Sequence, residues 1–474
     1  MYKQEMSADM EHCRAIEDEA ILLRIHQLQN GLIQYTDSSV AERMQRAYGK
    51  DIRYIHAWKK WIVWDGTHWK VDNGEIIQSM GLKLVRGIYD EVRKTGDYRE
   101  KLEIEKYALK CEGVGRRKGF MEAATWIGEL NATVDDLDQN RWLLNLENGT
   151  VNLTTGELLP HKQEDLITKI ANVQYDKAAD CPQWKQFIRE IMDYKADLIQ
   201  FLQTAVGWAM SGDNSEQTMF ILYGTGANGK STFLNVIFNI LGDYAITTWA
   251  DTFMRRNNDS TTNDIARLRG ARFVATSETE QGKRLSENLI KQATGSDQLT
   301  ARFLYGEYFN FVPTFKIFMA SNHKPVIKGT DHGIWRRIKL IPFTTTIAEE
   351  KQDKYLEQKL LEEKSGILNW LIEGMMRWQK EGLKTPATII NATDEYRGEM
   401  DIIGNFIKER CVQQTGLEIK ARELFGVYQE WCDENNEVAT SERMFGIRLK
   451  ELGLLQKRAS DGRYWQDIGI KVNN

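Results

Sequence analysis

Short apolar runs alternate with helical patterns through the middle of the chain. Runs at Met219–Tyr223, Ala271–Thr276 and Phe315–Ala320 are separated by stretches whose apolar residues recur at i, i+3 and i+4. Alternation of strand and helix patterns is typical of a parallel α/β sheet. We therefore predict an α/β domain over residues 183–350, in which a helical segment ending at Gly212 precedes the first strand.

The part of the chain before this sheet has a mixed pattern. Residues 1–40 show a polar helical pattern, and an Asp65-Gly66 pair then marks a tight hairpin. This region contains four tryptophans, Trp58, Trp61, Trp64 and Trp69. Tryptophans at near-strand spacing more often form a small core than a surface that stacks bases. We predict a mixed α+β accessory domain over residues 41–182, in which LLNLENGTVNLTTGELLPH forms two short strands joined by Thr-Thr-Gly.

After the sheet the pattern becomes helical again. Residues 351–385 carry apolar positions at helical spacing, and Pro386 then interrupts the pattern. Within residues 386–474, the segments ARELFGVYQEWCDENN, SERMFGIRLKELGL and KRASDGRYWQDIGIKV predict a helix, a second helix and a hairpin. This order is typical of a winged helix, so we predict a winged-helix-like C-terminal domain.

Composition narrows the classes of function. The net charge of -5 excludes a histone-like polycation, so any contact with nucleic acid must be local. Ser441–Asn474 is one basic stretch, with seven basic and four acidic residues. No apolar run approaches the roughly 20 residues of a membrane span, and the N-terminus resembles no secretory signal. We expect a cytoplasmic protein without membrane contact, and the absence of any CxxC pair argues against zinc or disulfides.

The strongest chemical signal is a glycine-rich loop between a strand and a helix. The run Met219–Tyr223 leads into Gly224-x-x-x-x-Gly229-Lys230-Ser231, which is a complete P-loop in its required setting. Backbone N–H groups of such a loop hold phosphates, the lysine reaches the β and γ phosphates, and the Ser231 hydroxyl holds magnesium. We therefore expect ATP and Mg²⁺ as ligands. The predicted nucleotide-binding residues are Gly224, Thr225, Gly226, Ala227, Asn228, Gly229, Lys230, Ser231 and Thr232.

Two later strands end in polar residues that suit ATP hydrolysis. Glu278 and Glu280 follow the strand Ala271–Thr276, and we take Glu278 as the principal carboxylate, which holds magnesium and polarises the attacking water. Asn322 follows the strand Phe315–Ala320 and is the candidate sensor of the γ-phosphate. The alternatives are that either glutamate is a solvated loop residue and that the asparagine only forms a turn.

Arg336 and Arg337 open the next predicted strand. Ring-shaped motors use such an arginine to contact the γ-phosphate bound by a neighbouring subunit, because a guanidinium is permanently charged and forked. We predict that at least one of the two is such a finger. The alternative is that both are ordinary arginines at the edge of a strand.

The motifs in this order resemble superfamily 3 helicases of the phage, plasmid and poxvirus primase-helicase group. The resemblance extends from about Trp58 through NGTVNLTTGELLPH, the P-loop, SETE, KQATGSDQLTAR, SNHKP and WRR to the C-terminal tail, and covers most of the chain. It implies an AAA+-like motor, most often a hexameric ring, that moves 3′ to 5′ on single-stranded DNA and unwinds forks. It also implies that Lys291, Arg302 and Tyr305 contact the single strand, although the acidic Glu307 nearby argues for an ordinary hairpin.

Many relatives carry a primase domain ahead of the helicase. Only about 40 residues precede the tryptophan-rich region here, too few for a polymerising domain. We therefore expect a helicase without primer synthesis. The alternatives are that it works with a separate primase or replication initiator and that the chain is one fragment of a longer protein. If a phage or plasmid encodes it, we expect it in the cytoplasm of a bacterial host.

Two other functions are compatible with the P-loop. One is an ATP-dependent packaging or remodelling motor, which the combination of GSDQLTAR and WRR disfavours. The other is an origin-binding protein that uses ATP only to assemble, which the presence of Glu278 disfavours.

Overall fold

The computed structural model describes residues 36–94, 96–255, 263–276, 280–329, 332–435 and 437–471. The chain forms two compact units. One contains the described residues up to Gln139 together with His161–Lys169, and the other contains Asn140–Pro160 and the described residues from Ile170 onward. The domain limits proposed from the sequence stay predictions. The predicted helix over residues 1–40 lies outside the described residues up to residue 35.

The first unit combines a small antiparallel sheet with four helices. Its sheet has the order β1-β2-β3. Its elements are α1 (Asp37–Tyr48), β1 (Ile52–Ile55), β2 (Lys60–Trp64), β3 (Trp69–Val71), α2 (Glu75–Val92), α3 (Tyr98–Glu112) and α4 (Val114–Ala124). Apolar side chains on one face of each helix form the core, including Val40, Met44, Val85, Ile104 and Phe120. Amphipathic helices of this kind gain most of their stability from such packing.

The predicted hairpin in the tryptophan-rich region is confirmed. Trp64 of β2 pairs with Trp69 of β3, and Gly66 between them has a left-handed φ of +100°. The Asp65 carboxylate accepts hydrogen bonds from the backbone of the turn. Trp69 is buried, as the core interpretation requires, whereas Trp58 is 39% exposed and lies outside that core.

The centre of the second unit is a five-stranded sheet with the order β13-β7-β12-β9-β8. Its strands are β7 (Met219–Tyr223), β8 (Ala245–Thr248), β9 (Phe273–Thr276), β12 (Lys316–Ser321) and β13 (Ile338–Pro342). Every neighbouring pair is parallel, so the predicted α/β fold with a parallel sheet is confirmed. The strands are almost continuously apolar and buried, as expected for a sheet covered on both faces.

Helices and two smaller sheets surround this sheet. The helices are α5 (Pro182–Ile191), α6 (Ala196–Ala209), α7 (Lys230–Leu241), α8 (Asn263–Ala266), α9 (Glu287–Ala293), α10 (His332–Trp335), α11 (Leu356–Leu361), α12 (Lys364–Glu381) and α13 (Ala387–Met400). One small sheet is formed by β4 (Leu143–Leu146), β5 (Gly149–Asn152) and β6 (Glu157–Leu159), and the other by β10 (Leu299–Arg302) and β11 (Tyr308–Phe311). The strands predicted on either side of Thr-Thr-Gly are β5 and β6, and β4 is one strand more than predicted.

Helices α6 and α12 pack with their backbones almost in contact. A Cβ atom at Gly207 would lie 2.3 Å from the backbone nitrogen of Met375, and one at Gly374 would lie 2.1 Å from the carbonyl oxygen of Gln203. These separations are far below van der Waals contact. Glycine at both positions is therefore a requirement of this helix pair.

Two buried basic side chains anchor the sheet to the end of α6. Nζ of Lys316, at the start of β12, donates to the carbonyl oxygen of Ser211 and lies 4.8 Å from the centre of the Trp208 ring. Arg272, just before β9, donates to the carbonyl oxygen of Met210 at 2.8 Å. Burial, and secondarily the charge of Arg272, holds the pKa of Lys316 well below its ordinary value.

The last part of the second unit has its own core. It consists of α14 (Ile402–Arg410), β14 (Cys411–Lys420), α15 (Ala421–Glu434), α16 (Glu442–Glu451), β15 (Gln456–Ala459) and β16 (Gly462–Ile470). Its antiparallel sheet has the order β14-β16-β15, and its core includes Phe406, Tyr428, Phe445 and Trp465. The predicted succession of helix, helix and hairpin is present as α15, α16 and β15–β16. Within the described residues, no helix of the chain is long and apolar enough to cross a membrane.

Candidate nucleotide-binding site

The loop between β7 and α7 has a backbone that requires glycine. Gly229 has a φ of +81°, and a Cβ atom there would lie 2.5 Å from Cγ2 of Ile191. A Cβ atom at Gly224 would lie 2.2 Å from the carbonyl oxygen of Phe343. The first glycine lets the chain turn sharply into the helix, and the second lets two backbone segments meet. Neither position can therefore carry a side chain unless its neighbours move.

The other residues of the loop leave its backbone open to solvent. Thr225, Gly226 and Ala227 are exposed, and so is Ser231 in the first turn of α7. The free N–H groups and positive dipole end of a helix favour phosphate at such a position. An accessible serine hydroxyl is an oxygen ligand of the kind that Mg²⁺ prefers. The loop residues therefore fit a nucleotide with its magnesium ion.

Lys230 joins this loop to the neighbouring strand. Its side chain is buried, and its ammonium donates to the carbonyl oxygen of Gly224, to Asn228 Oδ1 at 3.1 Å and to Asn322 Oδ1 at 3.0 Å. Asn322 reaches it because β12 lies beside β7, with Ser321 paired to Tyr223. The structure thus brings together the predicted phosphate-binding lysine and the predicted sensor.

Of the two candidate glutamates, only Glu280 lies among the described residues. Glu278 lies outside the described residues, and β9 ends two positions before it, at Thr276. Because β9 is the parallel neighbour of β12, its carboxyl end points to the same edge of the sheet as Asn322. The carboxylate of Glu280 is 83% exposed and lies 3.3 Å from the ammonium of Lys283. This is a surface ion pair, an arrangement that contributes little energy.

The two arginines have different environments. Arg337 is buried, and its guanidinium donates to Thr294 Oγ1, to the carbonyl oxygen of Gly333 and to Gln217 Oε1. Arg336 is exposed, and it donates to the same Gln217 oxygen at 2.7 Å. The buried arginine is therefore part of the packing, and the exposed one is the arginine that a second molecule can reach.

Both arginines lie at the amino-terminal ends of the strands, whereas the glycine-rich loop follows their carboxyl-terminal ends. They precede β13, whose first residue, Ile338, pairs with Met219, the first residue of β7. Gly224 instead follows the last residue of β7. Five residues of strand at ~3.3 Å each separate the two edges by about 15 Å. Arg336 is therefore far from the loop of its own chain.

The candidate DNA contacts are divided between a hairpin and a helix. Arg302 is on the exposed side of the β10–β11 hairpin, with its guanidinium 4.9 Å from the centre of the Tyr308 ring. Tyr305 at the turn is fully exposed and has a φ of +62°. Lys291 is half-buried on α9, before the hairpin. The structure thus groups the arginine and the tyrosine and places the lysine on a different element.

Two residues around the site were not among those predicted from the sequence. Gln217 precedes β7 as an ordinary polar residue, yet it accepts hydrogen bonds from both arginines. Lys324 follows Asn322 by two positions, pairs with Glu399 at 2.6 Å and lies 5.2 Å from the Tyr223 ring centre. The lysine was accessible through its place in the SNHKP motif, whereas nothing in the local sequence distinguishes the glutamine.

The fold and these residues define an α/β protein with a glycine-rich loop at the carboxyl edge of a parallel sheet. Three family models match the chain: D5 N terminal like over residues 41–193, a family of unknown function (DUF5906) over residues 222–337, and Poxvirus D5 protein-like over residues 398–466. The matches to D5-like models confirm the resemblance to the primase-helicase group that the motifs indicate.

Viral proteins are among its curated relatives. A putative helicase of Acanthamoeba polyphaga mimivirus is 29% identical over 63% of this chain and 34% of the viral protein. A putative primase of African swine fever virus is 24% identical over 68% of this chain and 36% of that protein. The chain therefore spans about a third of the length of these relatives. A solved structure of the NrS-1 C-terminal region has a TM-score of 0.47 and 12% identity, covering 88% of this chain and 96% of that one.

Proposed function

We propose that the chain is an ATP-driven DNA helicase of the superfamily 3 type that acts in replication. The observation that carries the proposal is the contact between Lys230 and Asn322 beside the glycine-rich loop. A P-loop lysine and a polar amide on the neighbouring strand are what a motor needs to hold a γ-phosphate and detect its loss. The names of the viral relatives support a role in replication.

The chain's own residues can be assigned to the steps of ATP hydrolysis. The backbone of the loop and the Lys230 ammonium would hold the phosphates, and Ser231 and Glu278 would hold Mg²⁺, which neutralises phosphate charge when bound. Lys230 already donates to three protein oxygens, so binding of a phosphate exchanges at least one of them. Exchange of the Asn322 contact would free that amide to orient the attacking water, which Glu278 polarises.

The position of Arg336 supports assembly into a ring. Its separation from the loop of its own chain leaves a neighbouring subunit as the nucleotide site that it can serve. A closed ring places every such arginine at a neighbour's site, and we propose a homohexamer. Movement from 3′ to 5′ along a single strand is part of the proposal through the family resemblance alone.

The last part of the second unit, residues 402–470, is called the C-terminal module, and its fold supports contact with DNA or with a replication protein. Its order of helix, strand, helix, helix, strand and strand suits a winged helix. Primer synthesis is not proposed for this chain, since the relatives named primase extend well beyond the matched region.

One experiment tests the proposal as a whole. ATP hydrolysis is measured with and without single-stranded DNA, together with displacement of a labelled strand from a forked duplex, for the wild type and for Glu278→Gln. Turnover that DNA stimulates, with unwinding, and loss of both in the variant are expected. Turnover without unwinding would reject the helicase and leave a motor of another kind. An unimpaired variant would reject the role of Glu278.

A further inference from the structure

The hairpin β15–β16 of the C-terminal module carries two arginines directly opposite each other. Arg458 on β15 pairs in register with Arg463 on β16, and both side chains are exposed. Directly opposed residues have their Cβ atoms about 5 Å apart on the same face, where like charges repel. Within the described residues, neither arginine forms an ion pair. The hairpin thus retains a repulsive pair that nothing in its own fold neutralises.

The other face of the same sheet is electrically balanced. There Lys457 lies 3.0 Å from the carboxylate of Glu418, and Lys420 lies 2.9 Å from that of Asp461. Tyr464 adds a hydrogen bond to Asp461 at 2.7 Å. Each of these two lysines has an acidic partner in the module. The lack of partners at the arginine pair is therefore specific to one face and is not a general property of an exposed hairpin.

The arginine pair faces the same side of the sheet as helix α16. Alternation along β16 puts Arg463 on the same face as Trp465, two residues on, which is buried against α16 near Gly446. The exposed side of that helix carries Arg443 and Lys450, which are seven residues apart and hence on the same face, two turns from each other. Helix and hairpin therefore expose four cations on adjoining elements.

We infer that this basic face, formed by Arg443, Lys450, Arg458 and Arg463, binds the phosphate backbone of duplex DNA. Opposed guanidinium groups suit two phosphate oxygens, and phosphate contacts need no base-specific geometry. A helix beside a two-stranded ribbon also has the dimensions of elements that lie on the grooves of a duplex. Single strands are usually held by exposed aromatic side chains, and Trp465 on this face is buried.

The inference rests on the proposed function only in its choice of DNA. It assigns to the C-terminal module a DNA contact that is separate from the candidate contacts on the β10–β11 hairpin. The full chain is tested without nucleotide, by fluorescence anisotropy of a labelled blunt duplex over a range of salt concentrations. The test variant is R458Q/R463Q. The matched control is Lys457→Gln, which removes a cation from the other face of the same hairpin.

The double variant should bind the duplex about tenfold more weakly, and its slope of log affinity against log salt should fall in magnitude by about 2, one for each lost phosphate contact. The control should keep both values. Removing the repulsion should leave the unfolding temperature of the double variant unchanged or higher.

Equal losses in variant and control, an unchanged salt slope, or an equal loss of affinity for a single strand of the same length would each overturn the inference. ATP turnover without DNA, which should equal that of the wild type, separates this outcome from failure of the proposed motor.

Discussion

The ammonium of Lys230 lies 3.0 Å from Oδ1 of Asn322, although 92 residues separate the two along the chain. The contact exists because β12 lies beside β7 in the sheet and runs parallel to it, so the carboxyl ends of the two strands are aligned. The lysine that we propose to bind phosphate and the amide that we propose to respond to it are thereby in direct contact. A displacement of either side chain would therefore break its hydrogen bond to the other.

Substitution of Lys230 or of Asn322 should impair ATP hydrolysis. Lys230→Ala should abolish ATP turnover, because it removes the charge that faces the phosphates, while the circular dichroism spectrum stays unchanged. Asn322→Ala should lower kcat by about 100-fold, the usual cost of one positioned polar group, and leave ATP binding within a few-fold of the wild type. Asn239→Ala, an exposed amide on α7, is the control. Full turnover in Lys230→Ala would reject the site.

The two arginines should fail in different ways. Arg336→Ala should lose ATP turnover while keeping its unfolding temperature, since the side chain is exposed. Arg337→Ala should lower the unfolding temperature, because three hydrogen bonds to neighbouring groups are lost and each contributes about 1 kcal/mol. Identical behaviour of the two variants, in either direction, would show that their different burial has no consequence.

A mixing experiment tests whether Arg336 acts between subunits. Lys230→Ala and Arg336→Ala should each be inactive alone. After mixing, some interfaces combine an intact loop from one subunit with an intact arginine from the other, so part of the turnover should return. If both residues served the same subunit, no mixture would recover activity.

Tyr305 should contribute to binding of single-stranded DNA. Its ring is fully exposed at the turn of the β10–β11 hairpin, and stacking on a base is worth about 1–3 kcal/mol. Tyr305→Ala should therefore weaken single-strand affinity by about 5- to 150-fold, with ATP turnover in the absence of DNA unchanged. Tyr355→Ala removes another exposed tyrosine and should have no effect. Equal affinities of both variants and the wild type would remove Tyr305 from the DNA contacts.

Because the backbones of α6 and α12 are almost in contact, adding one methyl group at Gly207 should lower the free energy of unfolding. Gly207→Ala should destabilise the second unit by about 1–3 kcal/mol, the usual cost of overpacking, because the added Cβ atom meets backbone that cannot move aside. Gly398→Ala, in α13, has open space around the same atom and should be neutral or stabilising by up to about 1 kcal/mol. Thermal unfolding of both variants gives the comparison, and a stable Gly207→Ala would contradict the close approach.

Buried Lys316 predicts a pH dependence with a definite sign. Its pKa in the folded chain lies below the ordinary value of 10.5, so between those two pKa values the unfolded chain binds a proton that the folded chain does not. The contribution of Lys316 to stability therefore becomes less favourable as the pH falls from about 10.5. Relative to Lys316→Met, the wild type should lose unfolding temperature between pH 10 and pH 7. A difference between the two proteins that is independent of pH would contradict this.

Four strands of the central sheet were predictable because they are largely buried and read as apolar runs. Strand β8 was missed, since two of its four residues are threonines and only its end residues are buried. The glycine-rich loop was predictable because its chemistry fixes both residue types and spacing. Strand β14 was missed, since most of its side chains are exposed and polar and CVQQTGLEIK shows no alternation. An edge strand of this kind is defined by its pairing with β16, which no local pattern contains.

The contacts that assign roles were also hidden from the sequence. Both Arg336 and Arg337 donate to Gln217, and they differ because only Arg337 is buried and donates to Thr294, which directly follows α9. Adjacent residues of one type look equivalent until the fold buries one of them. The order of strands, and with it the contact of Lys230 with Asn322, likewise follows from packing and not from any local motif.

Arg336 and the glycine-rich loop lie at opposite ends of the strands of one sheet, and under the proposed function this has a consequence for ATP use. An isolated subunit would contain a nucleotide pocket and an arginine that cannot reach it, so it would bind ATP without hydrolysing it. Consumption would begin only where subunits gather, and the specific activity of a diluted sample should therefore fall with its concentration. The sheet would thus prevent ATP hydrolysis by unassembled subunits, because it holds the arginine away from the loop of its own chain.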